Sequence, residues 1–162
     1  MAADADFVDR PLTTSGLVVL RLEAVDRQDA ARQLAARMFA EGRLSDLEAF
    51  LAQLGAPEHQ MATGLPGGIG IPHARSEYVV DTSIAVGVTR FGHSLDFGAV
   101  DGPATLILLM ATPASSYSGH LDILARLARS LSRENFRESL RRAHDEEIIA
   151  ELINSTVDFA EC

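Results

Sequence analysis

The feature that most constrains the fold is the strongly apolar run from Ala104 to Ala111. Because apolar side chains point to both of its faces, this run predicts a central strand that other elements cover on both sides. A second strand is predicted at 83–90, where Ile84, Val86 and Val88 recur at every second position. The segment between these strands is too short for an easy helical crossover, so we expect a hairpin-like connection and a mixed sheet.

Helices are expected around this sheet because charge is concentrated outside the middle of the chain. Residues 61–119 carry only four acids and two arginines, whereas the flanking thirds are densely charged. A short strand is predicted at 17–20. Two amphipathic helices are predicted after it, one from the N-cap Asp26 to before Gly42 and one from the capping box Ser45-Asp-Leu-Glu48 to Leu54. Three more are predicted near the end of the sequence, at 118–131, 133–143 and 145–154. In the last helix, the residues expected to be buried are Ile148, Ile149, Leu152 and Ile153. This order indicates an α/β fold, a three-layer-like sandwich with a mixed β-sheet flanked by helices.

The chain of 162 residues is long enough for a single domain with a substantial core. We expect that domain at 14–154, between a flexible N-terminal arm at 1–13 and a C-terminal tail at 155–162. The acidic start of the chain has no apolar stretch behind basic residues, so no signal peptide is expected. The apolar run is also far shorter than the roughly 20 residues of a membrane helix. We therefore predict a cytoplasmic protein without direct membrane insertion.

The charge balance argues against several classes of partner. The net charge is −9, from 23 acids against 14 bases, whereas nucleic acids and anionic membranes require a basic surface. The single cysteine, Cys162, excludes a disulfide within the chain and a cysteine-based metal cage. The sequence therefore predicts no nucleic-acid partner, and it assigns no role to Cys162.

His73 is the first candidate for chemistry because of its setting after a glycine-rich segment. Glycines such as Gly68 let a backbone approach a ligand closely and expose amides that can bind an anion. Pro72 cannot donate to a sheet ladder and therefore marks a strand end or edge. Arg75, two residues further on, could bind a phosphate or carboxylate. This arrangement suits a phosphate acceptor, and the alternative is an ordinary loop histidine after a strand.

His120 is the second candidate. It falls in the first turn of a predicted helix, where the positive end of the helix dipole disfavours protonation. A neutral imidazole there could donate a hydrogen bond, and the alternative is a residue that covers the edge of the core. The other histidines, His59, His93 and His144, are interpreted as solvated turn residues. A zinc site on His73 and His120 would need a third convergent ligand, and none is evident in the sequence.

The segment from Thr63 to Ser76 resembles the enzyme IIA component of the fructose–mannitol type in the bacterial phosphoenolpyruvate:sugar phosphotransferase system. Those domains typically carry Ser-Thr-Gly-Ile-Gly-x-Gly-Ile-Ala-Ile-Pro-His-Ala, and the spacing from Thr63 to His73 is preserved here. Further similarity lies in Leu95-Asp-Phe-Gly-Ala-Val-Asp-Gly102, in Ala111-Thr-Pro113 and in His120-Leu-x-x-Leu-Ala-x-Leu-Ala128. The resemblance covers about residues 14–154.

The resemblance implies that His73 is phosphorylated, as a tele-phosphohistidine. It would take the phosphoryl group from the histidine phosphocarrier protein HPr and pass it to a cysteine of an enzyme IIB domain. That transfer would drive uptake of a sugar, expected to be fructose, through a membrane IIC component that the chain meets only indirectly. His120 would hydrogen-bond the phosphoryl oxygens, Thr63 would hold the site in shape, and a neighbouring acceptor would fix the other ring nitrogen of His73. No cofactor or metal is implied.

The chain departs from the family pattern at several positions. Pro66 replaces a glycine, Gly70 an alanine and Ala62 a serine, and an upstream arginine is missing at Pro57-Glu58-His59. Arg75 is the candidate to replace that arginine.

Three alternatives to a sugar phosphocarrier stay open on the sequence. They are a regulatory, nitrogen-type IIA phosphoprotein that controls other proteins by its phosphorylation state, a histidine metal site, and a binding module that is not phosphorylated. The continuation Ala74-Arg75-Ser76 resembles fructose-type domains more than the nitrogen-type branch.

Overall fold

The computed structural model describes residues 11–55 and 63–158. The upstream segment Pro57-Glu58-His59, the departure at Ala62 and the terminal Cys162 lie outside the described residues, as do the first ten positions of the predicted arm.

The described part of the chain contains one sheet and five helices. The strands are β1 (Val18–Leu22), β2 (Gly64–Leu65), β3 (Ile69–Gly70), β4 (His73–Ser76), β5 (Ser83–Thr89) and β6 (Leu106–Pro113). The helices are α1 (Arg27–Ala40), α2 (Leu47–Leu54), α3 (Tyr117–Leu131), α4 (Glu134–Arg142) and α5 (Glu146–Asp158), and a 3-10 turn at Ser15–Leu17 leads into β1.

The sheet is mixed, as predicted, and its order is β1-β5-β6-β3-β2. Strands β5 and β6 are antiparallel, with Val86 opposite Leu108, so the connection between them is hairpin-like. On its other side β6 pairs in parallel with both β3 and β4. Strand β6 is therefore the central strand that the apolar run predicted.

Helices cover both faces of the sheet, which confirms the three-layer α/β fold. On one face, Ile107 and Leu109 of β6 pack with Leu34 of α1 and Phe50 of α2. On the other face the alternate residues of β6 pack with side chains of α3, α4 and α5, including Leu106, Leu108, Met110, Leu127, Leu140 and Ile149. Because side chains alternate along a strand, a single run of apolar residues supplies both cores.

The cap of α1 agrees with the prediction, because Asp26 accepts a 2.8 Å hydrogen bond from the amide of Asp29. The cap of α2 does not, since the helix begins after Asp46, whose carboxylate accepts from the amide of Ala49. Ser45 instead bonds the carbonyl of Tyr78 through both its amide and its hydroxyl. A tertiary contact therefore takes the residue that local sequence favoured as the cap.

The two ends of the described chain meet each other. Thr13 is buried, donates its hydroxyl to the carbonyl of Ile84, and exchanges two hydrogen bonds with Asn154. The last part of the expected arm is thus tied to the core, and α5 continues to Asp158, beyond its predicted end at 154. Ile148, expected to be buried, is 47% exposed, because only one side of α5 faces the sheet.

No helix in the described ranges is both long enough and apolar enough to cross a membrane.

Candidate functional site

His73 opens strand β4, directly after a proline that divides one side of the sheet into two short strands. Pro72 has no amide proton, so the ladder is interrupted there, while its carbonyl still accepts from the amide of Met110 at 3.0 Å. Strands β3 and β4 therefore pair with successive parts of the same strand, β6. Strand β4 pairs with no other strand of the described residues. This agrees with the strand end that Pro72 predicted, and it places His73 at the beginning of an edge strand.

Strand register explains why His73 and His120 meet. His73 lies opposite Met110 of β6, whose side chain belongs to the core under α3, whereas the next residue, Ala74, belongs to the opposite core. Thr112 follows Met110 by two positions and so points to the same face. After β6 the chain turns directly into α3, and His120 in the first turn of that helix lies over the end of the strand.

The three side chains form a hydrogen-bonded chain. Nδ1 of His73 lies 3.2 Å from Nε2 of His120, and Nδ1 of His120 lies 2.7 Å from the hydroxyl of Thr112. The two imidazole rings are tilted by 50° with centroids 5.3 Å apart. His120 is 6% exposed and Thr112 is fully buried, whereas His73 is half-buried. Of these three side chains, His73 is therefore the one that solvent and a partner protein can reach.

His120 is neutral at physiological pH. Burial, with a further contribution from the positive charges of His73 and Arg75, lowers the pKa of its imidazole to about 4. The direction agrees with the prediction, and burial is the largest cause of the shift. A neutral imidazole has one nitrogen that donates and one that accepts, so the two hydrogen bonds of His120 are coupled.

Two arrangements of protons satisfy these contacts. In the first, His120 donates from Nδ1 to Thr112 and accepts at Nε2 from His73, which leaves the lone pair of the His73 ring at Nε2. In the second, the hydroxyl of Thr112 donates to Nδ1 of His120, and Nε2 of His120 donates to Nδ1 of His73. The hydrogen of the His73 ring is then at Nε2. Only the first arrangement makes Nε2 of His73 a nucleophile.

The contacts of His120 place its ring between His73 and Thr112. Both of its ring nitrogens have partners, one in Thr112 and one in Nδ1 of His73. The role of His120 toward phosphoryl oxygens stays a prediction. Nε2 of His120 lies where the neighbouring acceptor that the sequence analysis expected, without identifying it, would be.

Arg75 lies on the same side of β4 as His73. Residues 73 and 75 are half-buried and exposed, while the alternate residues 74 and 76 are buried. The guanidinium donates to the carbonyl of Ala114 at 2.8 Å, in the turn before α3. Its charge also reaches His120, whose pKa it lowers. The structure therefore brings the predicted anion-binding arginine to the histidine pair.

Thr63 also lies beside His73. Its carbonyl accepts from the amide of Ile71 at 2.9 Å, and both residues line a cavity of about 220 Å³ that His73 shares. Leu124 and Ala128 of α3 form the opposite wall, so the surroundings of the imidazole on this side are mostly apolar.

Gly68 lies elsewhere. It precedes β3, where Ile69 is opposite Leu106, whereas His73 is opposite Met110 four positions along β6. That separation is about 13 Å at the rise of a strand. The neighbouring amide of Gly67 donates to the carboxylate of Asp101 at 2.9 Å. The glycine amides predicted to bind an anion are therefore not gathered around His73.

The glycine at position 70 has a packing role instead. A Cβ atom built there would lie 2.6 Å from the ring of Phe97, which is buried. The β2–β3 hairpin can therefore lie against the loop that carries Phe97 only because residue 70 has no side chain. The departure from the family pattern at Gly70 therefore leaves room for the ring of Phe97 to pack against the β2–β3 hairpin.

Thr112 is the functional candidate that sequence reasoning missed. The available signal was a hydroxyl residue at the end of an apolar strand, eight positions before His120. His93 and His144 are exposed, as their interpretation as turn residues predicted. Within residues 11–55 and 63–158, no group of three or more histidine, cysteine, aspartate or glutamate side chains could hold a metal ion.

Comparison with protein families gives one match over most of the chain. The model of the family described as "Phosphoenolpyruvate-dependent sugar phosphotransferase system, EIIA 2" matches residues 11–156.

Curated relatives agree with this match. The chain is 36% identical over 118 residues to the fructose-specific EIIA component of Haloferax volcanii, a match that covers 72% of this chain and 75% of that protein. It is 31% identical over 144 residues to the fructose-specific EIIABC component of Bacillus subtilis. That match covers 88% of this chain but only 22% of the longer relative.

A solved structure shows the same fold. The nitrogen regulatory protein IIA-Ntr from Neisseria meningitidis superposes with a TM-score of 0.77 and 27% sequence identity. The match covers 88% of this chain and 96% of that protein.

Proposed function

The chain belongs to the EIIA 2 family of the phosphoenolpyruvate-dependent sugar phosphotransferase system, and we propose that His73 is the residue through which it carries a phosphoryl group. The observation that carries this proposal is the contact of 3.2 Å between Nδ1 of His73 and Nε2 of His120. A neutral, buried His120 anchored on Thr112 can accept a hydrogen bond from the Nδ1–H group of His73. The lone pair of His73 then lies at Nε2, where the phosphoryl group would be attached.

The transfer into the protein is a displacement at phosphorus. Nε2 of His73 attacks the phosphoryl group on a phosphohistidine of the donor HPr, so that one nitrogen–phosphorus bond breaks as another forms. Such transfers require positioning and charge stabilisation more than covalent assistance. His120 supplies the positioning, and the guanidinium of Arg75 supplies positive charge on the same side of β4. Thr63 contributes by fixing the wall beside the imidazole.

The transfer out reverses these roles. A cysteine thiolate of an enzyme IIB domain attacks the phosphorus, the bond to Nε2 breaks, and the electron pair returns to the ring of His73. The names of the Haloferax and Bacillus relatives support fructose as the sugar. The resemblance of this chain to fructose-type domains supports a membrane IIC component as the destination, which the chain would meet only indirectly. A cytoplasmic location follows from these partners.

A second candidate function is regulatory. The Neisseria structure bears the name of a nitrogen regulatory protein and shares the fold at a TM-score of 0.77. A protein of that kind would accept the phosphoryl group on His73 in the same way, but its phosphorylation state would control other proteins. The two functions differ only after phosphorylation, in whether a IIB cysteine receives the group.

The test is the intact mass of the protein after incubation with phosphoenolpyruvate, enzyme I and HPr. We expect one added phosphoryl group that is labile to acid and absent from His73→Ala. His93→Ala is the matched control, because that histidine is exposed and outside the proposed site. A gain of mass in His73→Ala, or none in the wild-type protein when a known IIA domain is charged, would refute the proposal.

Adding a fructose-type IIB domain to the phosphorylated protein then separates the two candidates. Loss of the phosphoryl group to the IIB cysteine supports the sugar carrier. Retention by a protein that was charged normally supports the regulatory function and contradicts the acceptor proposed above.

A further inference from the structure

A second cavity lies at the other end of the sheet from His73. Its volume is about 790 Å³, within the range of roughly 300–1,000 Å³ that small-molecule sites occupy. Four parts of the chain line it: the end of β1, the end of β5 with the loop that follows, Thr105 before β6, and the end of α4 with the turn after it. Thr105 directly precedes β6 and Thr112 lies near the end of that strand, so this cavity and the histidine pair are about 23 Å apart along the strand.

The lining of this cavity is basic in a chain that is strongly acidic. Three arginines, Arg21, Arg90 and Arg141, and two histidines, His93 and His144, contribute to the walls. No acidic side chain among the described residues lines the cavity, although the chain has 23 acids and 14 bases. Arginines gathered in one cavity of an otherwise acidic protein produce a local positive potential, which attracts small anions.

Arg21 is presented by an unusual backbone conformation. Its φ of 59° is the only positive value among the described residues other than glycine. The register between β1 and β5 shifts between Leu20 and Leu22, so Arg21 occupies an irregularity of the strand. A conformation that costs energy and re-aims one side chain is typical of functional positions. Within the described residues the side chain of Arg21 makes no hydrogen bond and no ion pair, so its guanidinium keeps its donors for a ligand.

The other two arginines are held in place by the protein. Arg141 donates from Nε to the hydroxyl of Thr105 and pairs with Glu138, and Arg90 pairs with Glu23 at 2.9 Å. The two carboxylates lie outside the lining and balance part of this charge. Arg141 is held by part-buried contacts and contributes a preorganised positive charge, while Arg21 is available for direct contact.

One side of the cavity is apolar. Leu20, Val88 and Ala143 contribute to the lining, and the ring of Phe91 beside them is 99% exposed. An aromatic ring kept in solvent gains contact area only when something covers it. The occupant that suits this wall together with the arginines has an anionic group and a ring or apolar body.

We propose that this cavity binds a small phosphate monoester that carries a ring, with the phosphate at Arg21 and the ring against Phe91. Guanidinium groups recognise phosphate oxygens through paired hydrogen bonds, which supports this class of ligand. The site is separate from His73 and does not depend on the phosphocarrier function proposed above.

The test is isothermal titration calorimetry of the whole chain with three probes: inorganic phosphate, a hexose 6-phosphate and adenosine 5′-monophosphate. At least one of the two esters should bind with a Kd below about 10 mM and more tightly than inorganic phosphate. Arg21→Gly relieves the backbone strain while removing the guanidinium, and it should weaken binding about tenfold or more. Arg32→Gln removes one positive charge from an exposed position on α1 and should leave binding unchanged.

Amide shifts of nitrogen-15-labelled protein then locate the binding. We expect changes at Gly92 and Thr105, and smaller or no changes at Gly64 and Ile71 beside His73. Phe91→Ala should weaken an ester more than inorganic phosphate. Three results would each overturn the proposal: no binding of either ester, equal weakening by Arg21→Gly and Arg32→Gln, or shifts centred on His73.

Discussion

The two ends of β6 differ in the side chains that surround them and in the size of the adjacent cavity. At the end that carries Thr112, two imidazoles and a hydroxyl lie within hydrogen-bond distance beside a small, mostly apolar cavity of about 220 Å³. At the other end, where Thr105 directly precedes the strand, a cavity of about 790 Å³ has three arginines in its walls. The first end fixes protons on one ring, whereas the second gathers positive charge around a volume large enough for a ligand.

This difference shows how burial decides what a histidine can do. His120 is 6% exposed and its pKa is lowered to about 4, so it acts as a neutral partner for His73. His93 and His144 are exposed and lie among arginines. The same residue type therefore lies in a buried hydrogen-bonded pair at one end of the strand and in the exposed wall of a cavity at the other.

The largest expected effect is on the pH dependence of stability. The pKa of His120 is about 4 in the folded protein and near 6.5 when unfolded, so the unfolded chain binds more protons between these values. Stability should therefore fall as the pH falls from 6.5 to about 4, by up to about 3 kcal/mol from this group. Urea unfolding of the wild-type protein and of His120→Gln across that range measures the difference. Parallel curves for the two proteins would contradict the buried, neutral state of His120.

The next effect concerns phosphorylation itself. In His120→Ala, Nδ1 of His73 loses its acceptor, and the rate of phosphoryl uptake should fall about 100-fold, as for other residues that orient a reacting group. The side-chain oxygen of His120→Gln can replace Nε2 as an acceptor, so this variant should recover much of the rate. If alanine and glutamine are equally slow, the hydrogen bond is not what His120 contributes. His144→Ala, at the opposite end of the sheet, is the control and should react normally.

A smaller effect is expected at Thr112. Thr112→Val keeps the shape of the side chain but leaves Nδ1 of the buried His120 without its partner, which should cost about 1–3 kcal/mol of folding stability. The rate of phosphoryl uptake should fall about tenfold. Thr112→Ser retains the hydroxyl and should stay close to the wild-type rate. If the valine and serine variants react alike, the hydroxyl does not position His120.

The smallest effect compares one arginine from each end of β6. Arg75→Gln should slow phosphoryl uptake by a few-fold to about tenfold, because an exposed charge beside the reacting group is screened by solvent. It should leave the binding of phosphate monoesters unchanged. Arg21→Gly should show the reverse pattern in the same two assays. Loss of both properties in either variant would mean that the two ends do not function independently.

Much of this arrangement could be predicted from the sequence, because it depends on local pattern. The apolar side chains of β6 face both ways, which fixed its central position, and Asp26 alone determined the start of α1. His73 was recognisable because proline, glycine and arginine occur around it at short range. These signals lie within a few residues of the feature that they predict.

The rest depends on contacts between distant segments. The contact of Gly70 with Phe97 and the capping of α2 by Asp46 follow from how loops and strands come together. The partner of His73 could not be deduced from spacing alone, since it requires the register of β4 on β6 and the turn into α3. The cavity with Arg21 was missed entirely, because its lining comes from four separated parts of the chain.

The central claim is that His120 holds Nδ1 of His73 so that the phosphoryl group is attached at Nε2. Long-range proton–nitrogen NMR of the histidine rings, recorded before and after phosphorylation, tests it most directly. The account predicts a protonated Nδ1 on His73, a phosphorus coupling at its Nε2, and a neutral His120 throughout. A phosphoryl group on Nδ1 of His73 or on another histidine, or a protonated His120 at neutral pH, would contradict it.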